Sequence, residues 1–241
     1  MFYGGYGYFG RGLQFSDDFM WQILLIAIPF FLCLGAQILV KSRYRRFSRV
    51  MNSRGLTGAQ AAYALLQANG VRDVQIMRVA GNLTDNYNPK TKTINLSEGV
   101  YDSTSIAAVG IACHEAGHAC QYAEDYFPMK VRAKVIPAAS IGSAIGMPLC
   151  LIGIIFSFGV LFYIGIILYA AVFLFQLATL PVEFNASSRA LKAIEAGHYL
   201  NEEEYKGARA VLRAAALTYV ASMASTLLTI FRLLLINNRR Q

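Results

Sequence analysis

The chain has 241 residues, 56% of them apolar and only 15% charged, and its mean hydropathy is +0.42. Soluble domains carry about 25% charged residues, so this balance excludes an ordinary soluble globule and points to an integral membrane protein. The net charge of +8 comes from basic residues beside apolar stretches, which reads as anchoring at the membrane surface and argues against a nucleic-acid partner.

Residues 1–18 are dominated by glycine and tyrosine and end on Asp17 and Asp18. They are too polar for a signal-peptide core and read as a flexible tail with its tyrosines at the membrane interface. Residues 19–40 follow without a charge. At ~1.5 Å rise per residue they cross a hydrocarbon layer of roughly 30 Å, so they are assigned as transmembrane helix 1, with Pro29 as a kink. Immediately beyond lie Lys41, Arg43, Arg45, Arg46, Arg49 and Arg54 with no acid among them. The positive-inside rule then puts the N-terminus outside and the next region in the cytoplasm.

Residues 41–134 form that cytoplasmic region, a small α+β element. Ala59–Ala68 reads as a helix closed by Asn69-Gly70. Val74–Val79 reads as a strand, and Leu83–Leu96 as strand, turn and strand around Asn88-Pro89. Asp85, Asn86 and Tyr87 fall on this segment, whose edge is a candidate for binding an extended peptide by main-chain pairing. Thr104–Tyr122 has no proline and is rich in alanine, with Ser103 or Thr104 as N-cap, and reads as a helix.

That helix carries His114-Glu115-Ala116-Gly117-His118, two of the chain's three histidines. Four residues apart on a helix, the two imidazoles lie one above the other and reach one ion, while Glu115 reaches a water held by it. The pattern suits metal-assisted hydrolysis, with the carboxylate as general base. Gly110 and Gly117 are costly inside a helix and imply close approach of another backbone or of the ion. The cysteines Cys33, Cys113, Cys120 and Cys150 have no paired spacing and read as small buried thiols.

Residues 135–182 carry no charge over 48 positions, too long for one crossing, and are assigned as a hairpin of two transmembrane helices broken near Phe156–Gly159. A hairpin returns the chain to the side it left, which brings Glu183 back to the face holding His114 and His118. Catalytic zinc usually takes three protein ligands, and Glu183, in the first turn of a helix expected to start near Pro181, is the preferred third. Asp125, Glu124, Glu195, Glu202–Glu204 and His198 are the alternatives. Residues 183–209 thus form a cytoplasmic helix with the third ligand. Asn185 and Arg189 are candidates for orienting ligands or polarising a carbonyl, and His198 for donating to the oxyanion of a tetrahedral intermediate. Residues 210–241 hold the uncharged stretch Ala214–Phe231, a candidate fourth span of marginal length.

The stretches Gly55–Ala59, Leu83–Tyr87, Asn95–Tyr101, His114–Ala119 and Leu180–Ser187 together resemble the bacterial membrane-bound neutral zinc metallopeptidases, often called YugP-like. They are distantly similar to the HtpX and CAAX-type membrane peptidases. In those relatives a later Glu-Phe-x-Ala segment supplies the third ligand, and this resemblance implies Glu183 for that role. The chain departs from the wider pattern at Ser187, where the relatives carry aspartate.

The reading is therefore an all-α dominated membrane protein, a bundle of three or four transmembrane helices with a small α+β element and a gluzincin-like His-Glu-x-x-His helix. One Zn2+ per chain is held by His114, His118 and Glu183, Glu115 is catalytic, and the site faces the cytoplasm. The implied partners are a protein or peptide substrate, the lipid bilayer and a membrane protein partner or second copy, with no nucleic acid. The rival is a non-hydrolytic zinc-binding scaffold, which has no use for Glu115. A zinc transporter expects ionisable residues inside the spans, and residues 19–40 and 135–182 have none. An intramembrane protease is disfavoured because Asp102, Glu124 and Asp125 bound the motif helix.

Overall fold

A computed structural model describes residues 17–238, with side chains from residue 20. The glycine- and tyrosine-rich tail lies outside the described residues, apart from Asp17 and Asp18, which begin the first helix. In chain order the elements are α1 (Asp17–Phe47), α2 (Gly58–Ala68), β1 (Gln75–Val79), β2 (Asn86–Asn88), β3 (Thr93–Ser97) and α3 (Glu98–Tyr101). There follow α4 (Ile106–Ala123), α5 (Phe127–Ile141), α6 (Met147–Ile155), α7 (Gly159–Ala196) and α8 (Glu202–Asn238). The fold is mostly helical with a small sheet. Among the described residues four helical stretches are long and apolar enough to cross a membrane: Met20–Phe47, Phe127–Ile155, Gly159–Ala196 and Glu202–Asn238.

The polar half is built on α4. Ser105, in extended conformation, accepts from the Ala108 amide and caps this helix, in place of the Ser103 or Thr104 expected from sequence. Most of α4 is buried, because its alanines and glycines let α2, α7, α8 and the sheet approach it from several sides. The core beneath it combines Leu65 and Leu66 of α2, Ile94 and Leu96 of β3, Val109 and Cys113 of α4, and Ile194 of α7. Thr57 and Gln60 close a reciprocal cap on α2, an arrangement worth about 1 kcal/mol. The sheet order is β1-β3-β2, with β1 parallel and β2 antiparallel to β3, so β2 is left with a free edge.

Two helix pairs extend from this core. α1 and α8 run antiparallel, with Phe47 against Gly207 at one end and the Cys33 thiol near the Ala221 carbonyl further along. α5 and α6 join through a π-helical segment, Gly142–Gly146. The ladder widens just before Pro148, which has no N–H to give to the Ala144 carbonyl. The chain turns at Phe156–Phe158 and returns as α7. Glycines let the two limbs touch: a Cβ at Gly153 would lie 2.5 Å from the Phe162 nitrogen, and one at Gly142 would collide with the Leu168 carbonyl.

The helix expected to begin near Pro181 does not exist as a separate element. α7 runs unbroken through Pro181 to Ala196, so Glu183 sits inside a long helix, and residues 183–209 divide between α7, a turn and α8. An interior proline removes one helix hydrogen bond and costs ~3 kcal/mol in isolation. Here Val182, Ala186 and Ala190 are fully buried just beyond it, and that packing holds the helix together. The true boundary is Gly197–Asn201, with His198 left-handed at φ 51°.

Replacing Gly142 by leucine should lower the thermal unfolding midpoint in detergent by the equivalent of about 1–3 kcal/mol, the range for overpacked interiors. Gly35→Ala, with nothing within 4 Å, should leave it no lower.

Candidate metal centre

One turn of α4 separates His114 from His118, whose rings meet edge to face with centroids 4.7 Å apart. α7 crosses α4 so that Glu183 faces both. Its Oε2 lies 3.3 Å from His114 Nε2 and 3.6 Å from His118 Nε2. Two ligand atoms ~2.0–2.1 Å from a tetrahedral ion stand roughly 3.3 Å apart, so these separations suit a common zinc ligand shell. His114, His118 and Glu183 offer ligand atoms within 4.8 Å of one another.

The other face of each imidazole is also held. His118 Nδ1 lies 3.0 Å from Gln121 Oε1, and the Gln121 amide donates from Nε2 to the Val182 carbonyl at 2.8 Å. Because that carbonyl only accepts, the amide nitrogen must face it and Oε1 must face His118. His118 Nδ1 therefore carries a proton and donates it, and in the neutral ring Nε2 turns a lone pair toward Glu183. A lone pair and a carboxylate oxygen at 3.6 Å need positive charge between them: a proton or a metal ion. His114 Nδ1 is likewise engaged, by Ser187 Oγ at 3.1 Å. Burial disfavours the His118 imidazolium, but Glu183 and Glu115 outweigh it and raise the pKa above the ordinary histidine value.

Behind Gln121 the network continues. Gln121 Nε2 also donates to Asn185 Oδ1 at 2.9 Å, Arg189 Nε donates to the same oxygen at 2.7 Å, and Arg189 clamps Glu124 with two bonds of 2.7 Å. Asn185 and Arg189 thus stand behind the His118 partner, away from the cavities. Arg132 places its guanidinium 3.7 Å from Glu183 Oε1 and over the Phe175 ring.

Two cavities, of about 740 and 170 Å³, share Asp85, His114, Glu115, Glu183 and Tyr219 as walls. Glu115 is buried, and desolvation holds its carboxyl above the usual range, although the two histidines pull the other way. Asp85 is anchored by the Ser97 amide and hydroxyl at 2.7 and 3.0 Å. That bond fixes the approach to β2, and Asn86 and Tyr87 line the larger cavity. His198 is exposed at the α7–α8 turn and lines neither cavity. The other candidate third ligands are occupied elsewhere or exposed: Glu124 by Arg189, Asp125 by Lys130, Glu204 by Ser53 and Asn201. Burial pushes the Cys120 thiol up to about 11 and Cys113 higher, which keeps both protonated near neutrality.

The sequence profile of a family described as "Putative neutral zinc metallopeptidase" matches residues 22–238. The chain belongs to the neutral zinc metallopeptidase family. This family member is also 42% identical over 205 residues to the "Putative membrane protease YugP" of Bacillus subtilis (strain 168), a match covering 85% of this chain and 91% of that protein. No solved structure matches it. The likeness to HtpX and CAAX-type peptidases rests on the quoted residues alone.

Sequence reasoning overlooked Gln121, Arg132 and Tyr219, and marked Ser187 only as a departure from the wider pattern. Gln121 lies three residues beyond His118 and Ser187 four beyond Glu183, so both were within reach of helical spacing. Tyr219 and Arg132 arrive through packing of distant helices and leave no local mark.

Gln121→Leu removes the acceptor that fixes the His118 tautomer. Zinc affinity, measured by competition with a chromophoric chelator, should fall about 10- to 100-fold. In the wild type the affinity should weaken as pH drops through the raised His118 pKa, because a protonated imidazole cannot coordinate.

Proposed function

We propose that the protein is a membrane-embedded zinc-dependent metallopeptidase that hydrolyses peptide bonds in membrane or membrane-adjacent proteins. One Zn2+ per chain is held by His114, His118 and Glu183. The observation that carries this reading is Glu115: a carboxylate beside a three-ligand cluster, on the wall between two cavities, where a scaffold would need only the ligands.

When bound, the ion lowers the pKa of a water toward neutrality and polarises a carbonyl. Glu115 removes the water's proton and hands it to the leaving amine. The Tyr219 phenol, lining both cavities, takes the role first sought in His198 and donates to the carbonyl oxygen as it gains charge. Gln121 and Ser187 hold the histidines, and Asn185 with Arg189 keeps Gln121 in place. The free edge of β2, at Asn86 and Tyr87, pairs with an extended substrate, and Asp85 anchors that segment.

Placement follows from helix length. Glu183 is about 36 Å along α7 from Gly159 at ~1.5 Å per residue, against a hydrocarbon layer of roughly 30 Å. The site then sits at the surface opposite the Phe156–Phe158 turn. That is the side of Lys41–Arg54, and the positive-inside rule makes it cytoplasmic in a multi-pass protein of the cell membrane. The remaining partners are the bilayer and a membrane protein or second copy packed through small-residue helix faces; no nucleic acid is involved.

Elemental analysis of detergent-purified protein should give about one zinc per chain, lost or much weakened in His118→Ala and Glu183→Gln. Glu115→Gln should keep zinc and lose casein hydrolysis, and Tyr219→Phe should lower kcat about 10²- to 10³-fold. Full activity in zinc-loaded Glu115→Gln would overturn the reading. Zinc without hydrolysis in the wild type would favour the scaffold.

A further inference from the structure

The smaller cavity has no part in the roles above. Along α4 its wall is Ile111, His114 and Glu115, while the larger cavity takes His114, Glu115, His118, Gln121 and Tyr122. The ligand cluster therefore stands between the two, and the segment leading into β2 borders both, through Leu83 and Asp85 on one side and Asn86 and Tyr87 on the other. A chain lying across the cluster in the larger cavity has the smaller one beside it, across the shared His114, Glu115 and Glu183.

Away from the cluster, the smaller cavity is lined mainly by apolar groups, Val40 of α1, Leu83, Ile111, and Val211 and Ala215 of α8, together with the Tyr44 phenol. Its charged neighbours are the residues shared with the larger cavity, all at the cluster end, and no lysine or arginine reaches it. An apolar cavity of ~150 Å³ holds a benzene ring, so about 170 Å³ admits a leucine, isoleucine, methionine or phenylalanine side chain, while the carboxylates of Asp85, Glu115 and Glu183 at the cluster end repel an acidic one. Ala215 sits one turn before Tyr219 on α8, so its small size leaves the volume open beneath the phenol. Val40 ends the uncharged stretch of α1 and Ala214 begins that of α8, which sets the cavity at the level where both helices leave their apolar runs.

We propose that this cavity is the specificity pocket of the protease, that it receives the large apolar side chain of the residue adjoining the scissile bond, and that Ala215 sets its depth. This rests on the metallopeptidase reading. A membrane-boundary segment, where apolar residues begin, is the kind of substrate it fits.

The test compares the full-length zinc-loaded wild type with Ala215→Leu, mapping casein cleavage sites by mass spectrometry with Glu115→Gln as blank. The wild type should cut beside Leu, Ile, Met or Phe at one fixed position. Ala215→Leu, which enlarges a side chain lining this cavity, should shift that position to Ala, Ser or Gly and change the relative kcat/KM for paired Leu and Ala peptides at least tenfold, within the roughly 10- to 200-fold range of apolar-pocket discrimination. Binding gives a second readout without turnover. A hydroxamate bearing an isobutyl side chain should bind the wild type at least tenfold tighter than its methyl counterpart, and Ala215→Leu should abolish the difference. An unchanged cleavage profile and equal hydroxamate affinities would overturn the pocket while leaving the hydrolase intact. Cleavage by the Glu115→Gln blank would overturn both.

Discussion

The close approach of α4 to α7 at Gly117 governs the site. A Cβ there would stand 2.8 Å from the Ala186 carbonyl oxygen, closer than side-chain carbons pack. Glycine thus lets the two backbones touch, and that spacing brings a carboxylate on one helix to 3.3 and 3.6 Å from imidazoles on the other. The helices run antiparallel here, so successive turns match in reverse order: His114 with Ser187, Gly117 with Ala186, and Gln121 with Val182 and Asn185. Ligands and their hydrogen-bond partners share one helix-helix seam, and a shift along it would disturb all of them together.

This seam also explains the tolerance of Pro181. A helix that ended there would lose the register of Glu183, Ala186 and Ser187, which all meet α4. The packing of Val182, Ala186 and Ala190, each fully buried, offsets the lost backbone bond. The helix expected to start near Pro181 rests on a local preference that tertiary contact overrules.

What could be read in advance follows from range. His114 and His118 were legible because a four-residue spacing in an alanine-rich run needs only helix geometry. Glu183 became legible because the uncharged length before it required a hairpin and hence a return. Its helix was misplaced because Pro181 and the polar residues after it mimic a fresh start. Gly117 was recognised as an anomaly demanding close approach, and the Ala186 backbone meets it; Gly110, by contrast, has only ordinary contact with Ala208 at 3.4 Å. Tyr219 lies far along the chain from the motif, on a helix whose rotation is set by its packing against α1, and no local pattern announces it. Ser187 shows the limit of pattern comparison: a hydroxyl engages His114 Nδ1 at the position where the distant relatives carry aspartate.

The charges around the cluster complete the picture. Asp85, Glu115 and Glu183 bring three carboxylates to the wall shared by the cavities, with the Arg132 guanidinium beside Glu183. They stand in a poorly solvated place, where burial raises the pKa of both Asp85 and Glu115 and uncompensated buried charge costs several kcal/mol. A divalent cation would compensate carboxylates that burial otherwise holds toward the protonated form. The same balance acts on Glu115. Desolvation first, and then the Glu183 and Asp85 carboxylates, hold its carboxyl toward the protonated form against the pull of the two histidines, and a neighbouring dication would favour the carboxylate. In the metallopeptidase reading, binding of the ion would therefore also favour the ionised Glu115 carboxyl that the proposed base requires.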